Sequence, residues 1–364
     1  MCLVNTGNGF LSDTKTSHHV TIAIDAMGGD HGPSVVIPAL SMALEGRPYL
    51  HFIICGDEKI INQHLKRHPA LKERSSVSHA EKVIGNDDKP SVALRASKGS
   101  SMRMAIEAVK NQKAQAVVSA GNTGALMALS KTVLKAVPGV RRPALASLMP
   151  GIKSDTIVLD LGANVLVDGE SLVQFAILGS IFARAQKKIE RPSVGILNIG
   201  SEDTKGPDHV RIAAQILSNI TFPGEYKGFV EGNDIGKGSV DVIVTDGYAG
   251  NIALKTAEGM GSLTKHYFTE AFSSNPLAIL GGIFAFFSLR ILKKRLDPRR
   301  YNGGVFLGLN GLCIKSHGGA DALGFSNAVI LAVRLARQGY IDQISKEIGH
   351  LIEQEEKITI KKAV

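Results

Sequence analysis

The chain has 364 residues, of which 44% are hydrophobic and 21% charged, as is ordinary for a globular enzyme with a sizeable core. Lysine and arginine outnumber aspartate and glutamate by 42 to 33, and the net charge of +9 favours acidic partners. Basic runs interleaved with aromatic residues are missing, which argues against nucleic acid, and three scattered cysteines exclude a disulfide framework and a cysteine-bound zinc and indicate a reducing compartment.

Strand-like and helix-like segments alternate from residue 20 onward. Residues 1–19 are polar and lack the charged start and apolar core of a secretory signal, so we expect a flexible leader there. The predicted strands are 20–25, 51–55, 116–119, 156–160, 193–198 and 240–245, with a further strand starting at Ala144. This alternation predicts an α/β fold with a mostly parallel sheet and helices on both of its faces.

The first turn combines glycines with carboxylates. The strand ends at Asp25, and Gly28, Gly29 and Asp30 follow before a helix predicted at 34–44. A phosphate-cradling turn normally presents bare backbone amides at a helix N-terminus, whereas this one carries two aspartates. A bound anion would therefore need positive charge from elsewhere in the chain.

Five predicted strands run directly into a polar residue and then glycine. The carboxyl ends of parallel strands share one edge of a sheet, so we expect the five turns to line one crevice. For any single turn, the alternative is that loops simply need Gly and Asp. The five turns are 25–30, 119–124, 160–164, 198–205 and 245–251.

The dinucleotide, P-loop, nucleophile-elbow and His-Glu-x-x-His patterns are all absent from the sequence. What remains is a set of hydrogen-bonding side chains accompanied by cations, which suits a polyanion such as phosphate. The hydrogen-bonding residues are Ser119, Asn122, Thr123, Asn164, Asn198 and Asn251, and the cations are Lys98, Arg141, Arg142, Lys205 and Lys255.

Each cation also has a simpler interpretation. Lys98 falls in a predicted helix over 93–102, where a lysine is usually solvated. Lys205 follows two acidic residues and could form a local ion pair. Arg142 is preferred over the preceding arginine for a position in the crevice, and Lys255 is favoured because it lies one helical turn after an asparagine near a predicted helix N-terminus.

These turns resemble those of the bacterial phosphate acyltransferases, the PlsX family. The matching segments follow one another in order from about residue 20 to about residue 330, and the leader is the main departure. They are Asp25-Ala-Met-Gly-Gly-Asp-His-Gly-Pro33, Ser119-Ala-Gly-Asn-Thr-Gly-Ala125, Val140-Arg-Arg-Pro-Ala144, Asp160-Leu-Gly-Ala-Asn164, Asn198-Ile-Gly-Ser-Glu202, Thr245-Asp-Gly-Tyr-Ala-Gly-Asn251, Tyr301-Asn-Gly-Gly304 and Ser316-His-Gly-Gly-Ala-Asp321.

The resemblance implies transfer of a fatty acyl group from acyl carrier protein to inorganic phosphate, giving acyl phosphate for phospholipid synthesis. It also implies a three-layer sandwich similar to phosphotransacetylases and isocitrate-type dehydrogenases. The resemblance further implies a homodimer in the cytoplasm, in peripheral contact with the inner face of the cell membrane, where a membrane-bound glycerol-3-phosphate acyltransferase is a candidate partner. Neither a cofactor nor a metal is implied.

Roles for the site residues follow as a hypothesis from the chemistry. Phosphate is already an anionic nucleophile, so positioning and charge control should dominate catalysis. Arg142 and Lys255, with Lys98 or Lys205, would hold phosphate. Ser119, Asn122, Thr123 and the amides of the Gly28-Gly29 turn would orient it. Asn164 and Asn251 would donate to the thioester oxyanion. The leaving thiolate would take a proton from His31 or His317. The cations and amides would be oriented by three carboxylates, those of Asp25, Asp30 and Asp246.

An apolar segment at 277–289 is followed by a basic cluster that begins at Arg290. As a helix, these residues would span about 20 Å, short of the roughly 30 Å of a bilayer core. The alternatives are a helix at the surface of an anionic membrane and a buried or dimer-interface helix. The resemblance favours the first, so we expect a membrane-facing helical excursion at about 260–300.

The remaining predictions concern the C-terminal part and the alternative functions. We expect a core helix at 320–338, an apolar helical stripe from Ile341 to Ile352 and a frayed tail at 357–364, with one α/β domain over 20–356. Two alternatives stay open, a phosphotransacetylase that uses acyl-coenzyme A and a membrane-bound scaffold without enzymatic activity. Comparison of the two thioester donors separates the enzymes, and arsenate separates an enzyme from a scaffold.

Overall fold

Eleven β-strands form one continuous sheet in the computed structural model, which describes residues 19–295 and 297–350. Residues 1–18 of the predicted leader and the predicted tail at 357–364 lie outside this range. The strands are β1 (Val20–Asp25), β2 (Leu50–Gly56), β3 (Ser75–His79), β4 (Ala116–Ser119), β5 (Ala144–Met149), β6 (Thr156–Leu159), β7 (Ser193–Leu197), β8 (Glu225–Val230), β9 (Val242–Val244), β10 (Gly304–Leu307) and β11 (Leu312–Lys315).

Helices connect most of these strands. They are α1 (Pro33–Leu44), α2 (Glu58–Leu65), α3 (Pro69–Glu73), α4 (Pro90–Ala96), α5 (Ser101–Lys110), α6 (Thr123–Val133), α7 (Gly169–Lys187), α8 (Asp208–Asn219), α9 (Gly232–Lys237), α10 (Gly247–Ser273), α11 (Pro276–Phe284), α12 (Phe286–Arg295) and α13 (Ala322–Arg337). A 3-10 turn covers Pro298–Tyr301, and residues 340–350 are helical as well.

The sheet consists of two parallel blocks that run in opposite directions. The strand order is β3-β2-β1-β4-β11-β10-β5-β6-β9-β7-β8. β3, β2, β1, β4 and β11 are parallel to one another, and β6, β9, β7 and β8 form a second parallel set. Between them, β10 and β5 join through three antiparallel pairings, which reverse the direction of the second block. The predicted mostly parallel sheet is confirmed, with this reversal at its centre.

Alternate residues of the central strands pack on opposite faces of the sheet, because successive side chains of a strand point to opposite sides. Ile22 and Ile24 of β1 join a core formed with α1, α7, α8 and α13. Ala23, between them, joins a second core formed with α5 and α6, together with Ala253 and Leu254 of α10. Helices therefore cover both faces, and the predicted three-layer α/β sandwich is confirmed.

The strands that sequence patterns missed are short or partly exposed. β3 at the sheet edge has no buried residue, and β8 at the other edge has one, so neither shows an apolar run. β10 and β11 have only four residues each. Their place in the sheet comes from long-range pairing, since β11 lies between β4 and β10, which are distant in the chain.

The predicted helix over 93–102 is wrong, because the chain breaks there into α4 and α5. Gly99 adopts a φ of +78°, which a side chain would disfavour, and the hydroxyl of Ser100 accepts a hydrogen bond from the backbone nitrogen of Arg103 at 3.3 Å to cap α5. Lys98 is exposed in this break and not on a helix surface.

Helices α10, α11 and α12 form an exposed arm, which we define as residues 247–295. The apolar segment at 277–289 is divided between two helices, since α11 ends at Phe284 and α12 begins at Phe286. α11 has no buried residue, and its Leu277 and Phe284 are 81% and 82% exposed. Among the described residues, no helix has the length and apolar character needed to cross a membrane.

The C-terminal part packs against the body, as its apolar pattern predicts. α13 falls within the predicted range of 320–338 and contributes Phe325 and Val329 to the core. Tyr340, Ile344 and Ile348 of the following helical residues are buried, whereas the last two residues of the predicted stripe lie outside the described range.

Candidate active site

Three turns meet where β1, β4 and β11 end side by side at one edge of the sheet. A Cβ atom on Gly28 would lie 2.7 Å from the backbone nitrogen of Gly121, so the first two turns pack backbone against backbone. The amide of Asp30 donates to the carbonyl of Gly318 at 3.0 Å, which attaches the third turn. Glycine is needed at the first of these contacts because a side chain would separate the turns.

Asp25 is the buried carboxylate at the centre of this edge, with 1% of its surface exposed. Its Oδ2 accepts a hydrogen bond from the hydroxyl of Ser119 at 2.7 Å, and that hydroxyl in turn accepts from the amide of Gly121 at 3.1 Å. Its Oδ1 is buried and has no hydrogen-bond partner of good geometry among the described residues. Burial raises the pKa of Asp25, while hydrogen bonds from the side chains of Ser119 and Ser101 act in the opposite direction.

Lys315 is a functional candidate that the sequence analysis missed. It ends β11 in register with Ser119, and its ammonium group donates to the carbonyls of Ala120, at 3.1 Å, and Ser316. Burial lowers the pKa of Lys315 to about 8. The negative charges of Asp25 and Asp30 act in the opposite direction, because they favour the protonated amine.

A signal for Lys315 was present in the sequence. An apolar run, Leu312-Cys-Ile, leads into this lysine and then into Gly318 and Gly319, which repeats the strand, polar residue and glycine pattern of the other turns. The strand has only four residues, so the pattern was not recognised as a sixth instance.

Helix N-termini surround the same edge. α1, α6 and α13 each follow one of the three strands, and α5 also begins here, since the methyl group of Met102 lies against Gly121. The hydroxyl of Ser101, at the start of α5, is buried beside the carboxylate of Asp25, whose pKa it lowers, without a hydrogen bond of ideal geometry among the described residues. The unpaired amides at these helix starts carry partial positive charge and favour an anion.

Asn122 and Asp30 hold a neighbouring loop to the site. The side-chain amide of Asn122 donates to the carbonyls of Asn86, at 2.6 Å, and Asp88, at 3.1 Å, while its oxygen caps α6. The side chain of Asn86 donates to Oδ1 of Asp30 at 2.9 Å. Asn122 thus has both amide hydrogens engaged, and Thr123 follows it at the half-buried start of α6.

The two predicted histidines belong to turns at this edge. His31 is exposed directly before α1, and its carbonyl accepts from the hydroxyl of Ser34 at 2.8 Å. His317 is exposed as well, and its Nδ1 accepts from the amide of Gly319 at 3.2 Å. This contact leaves Nε2 of His317 as the ring atom that could exchange a proton with a ligand.

The expectation that all five turns share one edge is wrong, because β6, β9 and β7 run opposite to β1 and β4. The turns at 160–164, 198–205 and 245–251 therefore lie at the other edge. Arg142, directly before β5, is also there, with its guanidinium donating to the carbonyl of Leu166 at 3.1 Å. Lys205 is exposed in the second of these turns.

Polar side chains at this other edge mainly organise the chain. The buried carboxylate of Asp160 accepts from the backbone nitrogens of Leu145, at 2.9 Å, and Ala163, at 3.0 Å. The side-chain amide of Asn164 donates to the carbonyl of Pro143 at 2.8 Å and to Asp160 at 2.9 Å. Asp246 caps α10.

α10 connects the two edges. It begins at the second edge, with exposed Asn251 beside Gly162, and its next turn packs on the face of the sheet to which Lys315 belongs. The charge of Lys255 contributes to lowering the pKa of Lys315, so the two cations lie within electrostatic reach. Lys255 also pairs with Glu258 at 2.7 Å on the exposed surface.

The first edge therefore combines a half-buried lysine, a buried carboxylate, several helix N-termini and two histidines. Such a set can bind an oxyanion, compensate its charge and transfer a proton. Of the predicted site residues, the structure groups ten at or beside this edge: Asp25, Gly28, Gly29, Asp30, His31, Ser119, Asn122, Thr123, Lys255 and His317. Lys98 lies in the loop before α5, and Arg142, Asn164, Lys205, Asp246 and Asn251 belong to the second edge.

The sequence pattern of a family described as "Fatty acid synthesis protein" matches residues 20–343. A phosphate acyltransferase of Paramagnetospirillum magneticum is 50% identical over 332 residues, which cover 91% of this chain and 95% of that protein. Another, of Caulobacter vibrioides, is 49% identical over 335 residues, 92% of this chain and 93% of that one. The crystal structure of a phosphotransacetylase from Streptococcus pyogenes shares the fold, with a TM-score of 0.59 at 17% identity over 88% of this chain and 94% of that one.

Proposed function

The chain belongs to the fatty acid synthesis protein family of phosphate acyltransferases, and from this membership we propose that its acyl donor is acyl carrier protein and its product acyl phosphate. It is an acyltransferase, and its general reaction is acyl transfer to phosphate. The proposed product would serve phospholipid synthesis. The excess of 42 basic over 33 acidic residues supports an acidic carrier protein as the donor.

The observation that carries the proposal is the anion site at the ends of β1, β4 and β11. Phosphate needs no activating base, because it is already charged at neutral pH. A buried lysine and helix N-termini suit its binding, while Lys255 approaches from α10. Positioning the phosphate against the thioester is then the main catalytic demand.

The reaction we propose replaces one bond by another. A phosphate oxygen attacks the thioester carbonyl carbon, a carbon–oxygen bond forms, and the carbon–sulfur bond breaks. His31 or His317 would give the departing thiolate a proton. Asn251 lies at the second edge beside Gly162, so its predicted donation to the oxyanion stays a prediction. Arg142 and Lys205 belong to the other edge, and their predicted contact with phosphate has no support from the positions of their strands.

Arsenate tests the proposed reaction directly. An acyl arsenate hydrolyses spontaneously, so we expect arsenate to release free fatty acid from acyl carrier protein in the presence of the enzyme. The same assay with acyl-coenzyme A measures donor preference, and added phosphate should suppress the release by competition. Faster release from coenzyme A would support the phosphotransacetylase alternative. A thioester untouched by both phosphate and arsenate would contradict the proposed function.

We also propose peripheral contact of the arm with the inner face of the cell membrane, with the protein in the cytoplasm as a homodimer. The support is the row of exposed apolar side chains on α11 and α12, followed by the exposed cation Arg290. An acyl phosphate made there could pass to a membrane-bound glycerol-3-phosphate acyltransferase. The apolar product and the apolar arm are consistent with each other, since both favour a lipid surface.

A further inference from the structure

Lys315 has a half-buried charge, and among the described residues no carboxylate lies within ion-pair distance of it. We propose that Lys315 binds the oxygens of the phosphate that accepts the acyl group, and this inference takes its ligand from the proposed function. The residue ends β11 between the turns of β4 and its own strand, at the edge where the candidate active site lies.

A comparison with Lys187 shows why the environment of Lys315 is unusual. Both lysines are largely enclosed, and Lys187 forms an ion pair with Asp241 at 2.5 Å. Among the residues that the structure describes, Lys315 has no carboxylate within ion-pair distance and donates only to the neutral carbonyls of Ala120 and Ser316. A charge that is partly removed from water without a charged partner is unfavourable, which a structural role alone does not explain.

The neighbouring groups indicate an anionic ligand. An ammonium group has three donors, and two carbonyls leave one donor of Lys315 for another acceptor. Asp25 and Asp30 keep the amine charged, and Lys255 repels it from α10. An anion between the two lysines would remove this repulsion and complete the hydrogen bonding of Lys315.

Asp25 and Ser101 place two further polar groups at the same edge of the sheet. Oδ1 of Asp25 and the hydroxyl of Ser101 are both buried, and the hydroxyl lies close enough to the Asp25 carboxylate to lower its pKa by hydrogen bonding, although neither atom has a partner of ideal geometry among the described residues. The hydroxyl can donate to a phosphate oxygen, and Asp25 can accept from a protonated phosphate oxygen or from an ordered water.

Lys315 would act on the phosphate and not on the thioester. Its charge offsets the negative charge of the incoming phosphate and fixes the oxygen that attacks the acyl carbon. The leaving thiolate receives its proton elsewhere, so Lys315 keeps its proton throughout. The expected effect of its loss is therefore weaker phosphate binding with little change in the apparent affinity for the acyl donor.

The experiment compares Lys315→Met, Lys315→Arg and the control Lys227→Met in the full chain. Lys227 lies on the edge strand β8, where it forms an exposed pair with Glu225. Titration calorimetry with inorganic phosphate gives binding without turnover, and initial rates give KM for phosphate and donor separately. We expect Lys315→Met to weaken phosphate binding and raise its KM by at least about tenfold. Lys315→Arg should recover part of the loss, and Lys227→Met should match the wild type.

A chemical footprint covers the case in which Lys315→Met folds poorly. Acetic anhydride at pH 8 labels accessible neutral amines, and mass spectrometry of the wild-type protein measures labelling at Lys315 and Lys227. We expect phosphate to protect Lys315 and leave Lys227 unchanged. Failure of phosphate to protect Lys315, or phosphate binding by Lys315→Met within twofold of wild type, would overturn the inference.

The outcomes separate the inference from the function on which it rests. If the wild type makes acyl phosphate but its phosphate KM does not depend on Lys315, the inference is wrong and the function stands. If phosphate binds and protects Lys315 while no acyl group is transferred, the function is wrong and the site stands. Absence of phosphate binding to the wild type would overturn the inference directly.

Discussion

Asp25 is the residue whose importance is clearest from the sequence, and its structural role is more specific than the sequence predicts. A strand that ends in aspartate and continues into glycines indicates a ligand-binding turn. In the structure, the carboxylate fixes Ser119 and through it the amide of Gly121, and so holds two turns together. Its second oxygen is unsatisfied among the described residues. The predicted role of Asp25 in orienting the cations and amides of the site stays a prediction, consistent with these contacts.

Substitution of Gly28 by alanine tests whether the close packing of the first two turns supports activity. A Cβ at this position would lie 2.6 Å from Oδ2 of Asp25 and 2.7 Å from the nitrogen of Gly121. We expect Gly28→Ala to lower the free energy of unfolding by about 1–3 kcal/mol and to reduce acyl transfer, because the turns must separate. Denaturant unfolding and initial rates measure the two effects.

The matched control for Gly28 is Gly236→Ala. Gly236 lies within α9, and a Cβ there has no atom within 4 Å. Alanine in a helix should be neutral or stabilise the protein by up to about 1 kcal/mol. Equal unfolding midpoints for the two variants would show that the contact between the turns at Gly28 and Gly121 contributes little.

The pKa of Lys315 predicts a pH dependence of phosphate binding. Burial lowers this pKa from 10.5 to about 8, so the charge that binds phosphate disappears as the pH rises through about 8. We expect KM for phosphate to increase by up to about tenfold per pH unit above that value in the wild type. In Lys315→Arg it should stay nearly constant, since a guanidinium keeps its proton.

Loss of the folded state would not explain a phosphate KM that rises above about pH 8. Between about pH 8 and 10.5 the unfolded chain binds more protons at this lysine than the folded chain does, so the contribution of Lys315 to stability increases with pH. A melting temperature that is steady or higher across this range, together with a rising KM, is the expected combination. A phosphate KM that is independent of pH in the wild type would contradict the assignment.

At the scale of elements, sequence patterns predict the long buried strands well. β1 and β4 have the predicted bounds, and the helix predicted at 34–44 begins one residue earlier as α1. The break between α4 and α5 was missed because the apolar spacing continues through it. It depends on Gly99 and on the cap at Ser100, two local features that override the pattern.

Asp241 links three elements of the second block. Its carboxylate pairs with Lys187 at the end of α7 and accepts from the amide and hydroxyl of Ser193 at the start of β7, at 3.0 and 2.7 Å. We expect Asp241→Asn to lower the free energy of unfolding near pH 7 by about 3 kcal/mol, because Lys187 would keep a buried charge without its partner. Denaturant titration measures this difference.

Acid should reduce the difference between Asp241→Asn and the wild type. Burial alone would raise the pKa of Asp241, but the hydrogen bonds from Lys187 and Ser193 outweigh it and lower the pKa below 3.8. The contribution is present above 3.8 and is lost as the pH falls through the lower folded value. The control is Asp208→Asn, whose exposed pair with Arg211 should contribute at most about 1 kcal/mol. A constant difference down to pH 2 would contradict this account.

At the scale of the whole molecule, the reversal at β10, β5 and β6 decides where the site can be. It places the ends of the first and second strand blocks at opposite edges, and α10 then brings Lys255 back toward Lys315. The arm that α10 begins presents its apolar side chains away from the core, since α11 buries none of them.

Vesicle binding tests the role of the arm in the whole protein. We expect the double change of Leu277→Ser and Phe284→Ser to reduce co-sedimentation with anionic phospholipid vesicles by at least tenfold. Each apolar side chain that enters the lipid contributes about 2 kcal/mol. Ile199→Ser is the control, because Ile199 is 79% exposed but lies in a turn of the body.

Sedimentation without lipid distinguishes the two uses of the arm. If the double variant binds vesicles normally but loses its dimer, the arm is an interface between copies, and the membrane proposal is wrong. If vesicle binding falls while the oligomeric state is unchanged, the membrane proposal stands. Loss of binding by Ile199→Ser as well would show that exposed apolar residues in general, and not the arm, cause the attachment.

The sequence alone determined the fold class, the family and most of the turn residues at the first edge, because alternating apolar runs and strand-to-glycine turns are local features. Only the tertiary structure decided which turns meet, since strand direction depends on pairing between distant segments such as β11 with β4 and β5 with β6. The same pairing buries Lys315 beside Asp25, and burial, which the sequence does not state, turns an ordinary lysine into a candidate for binding phosphate.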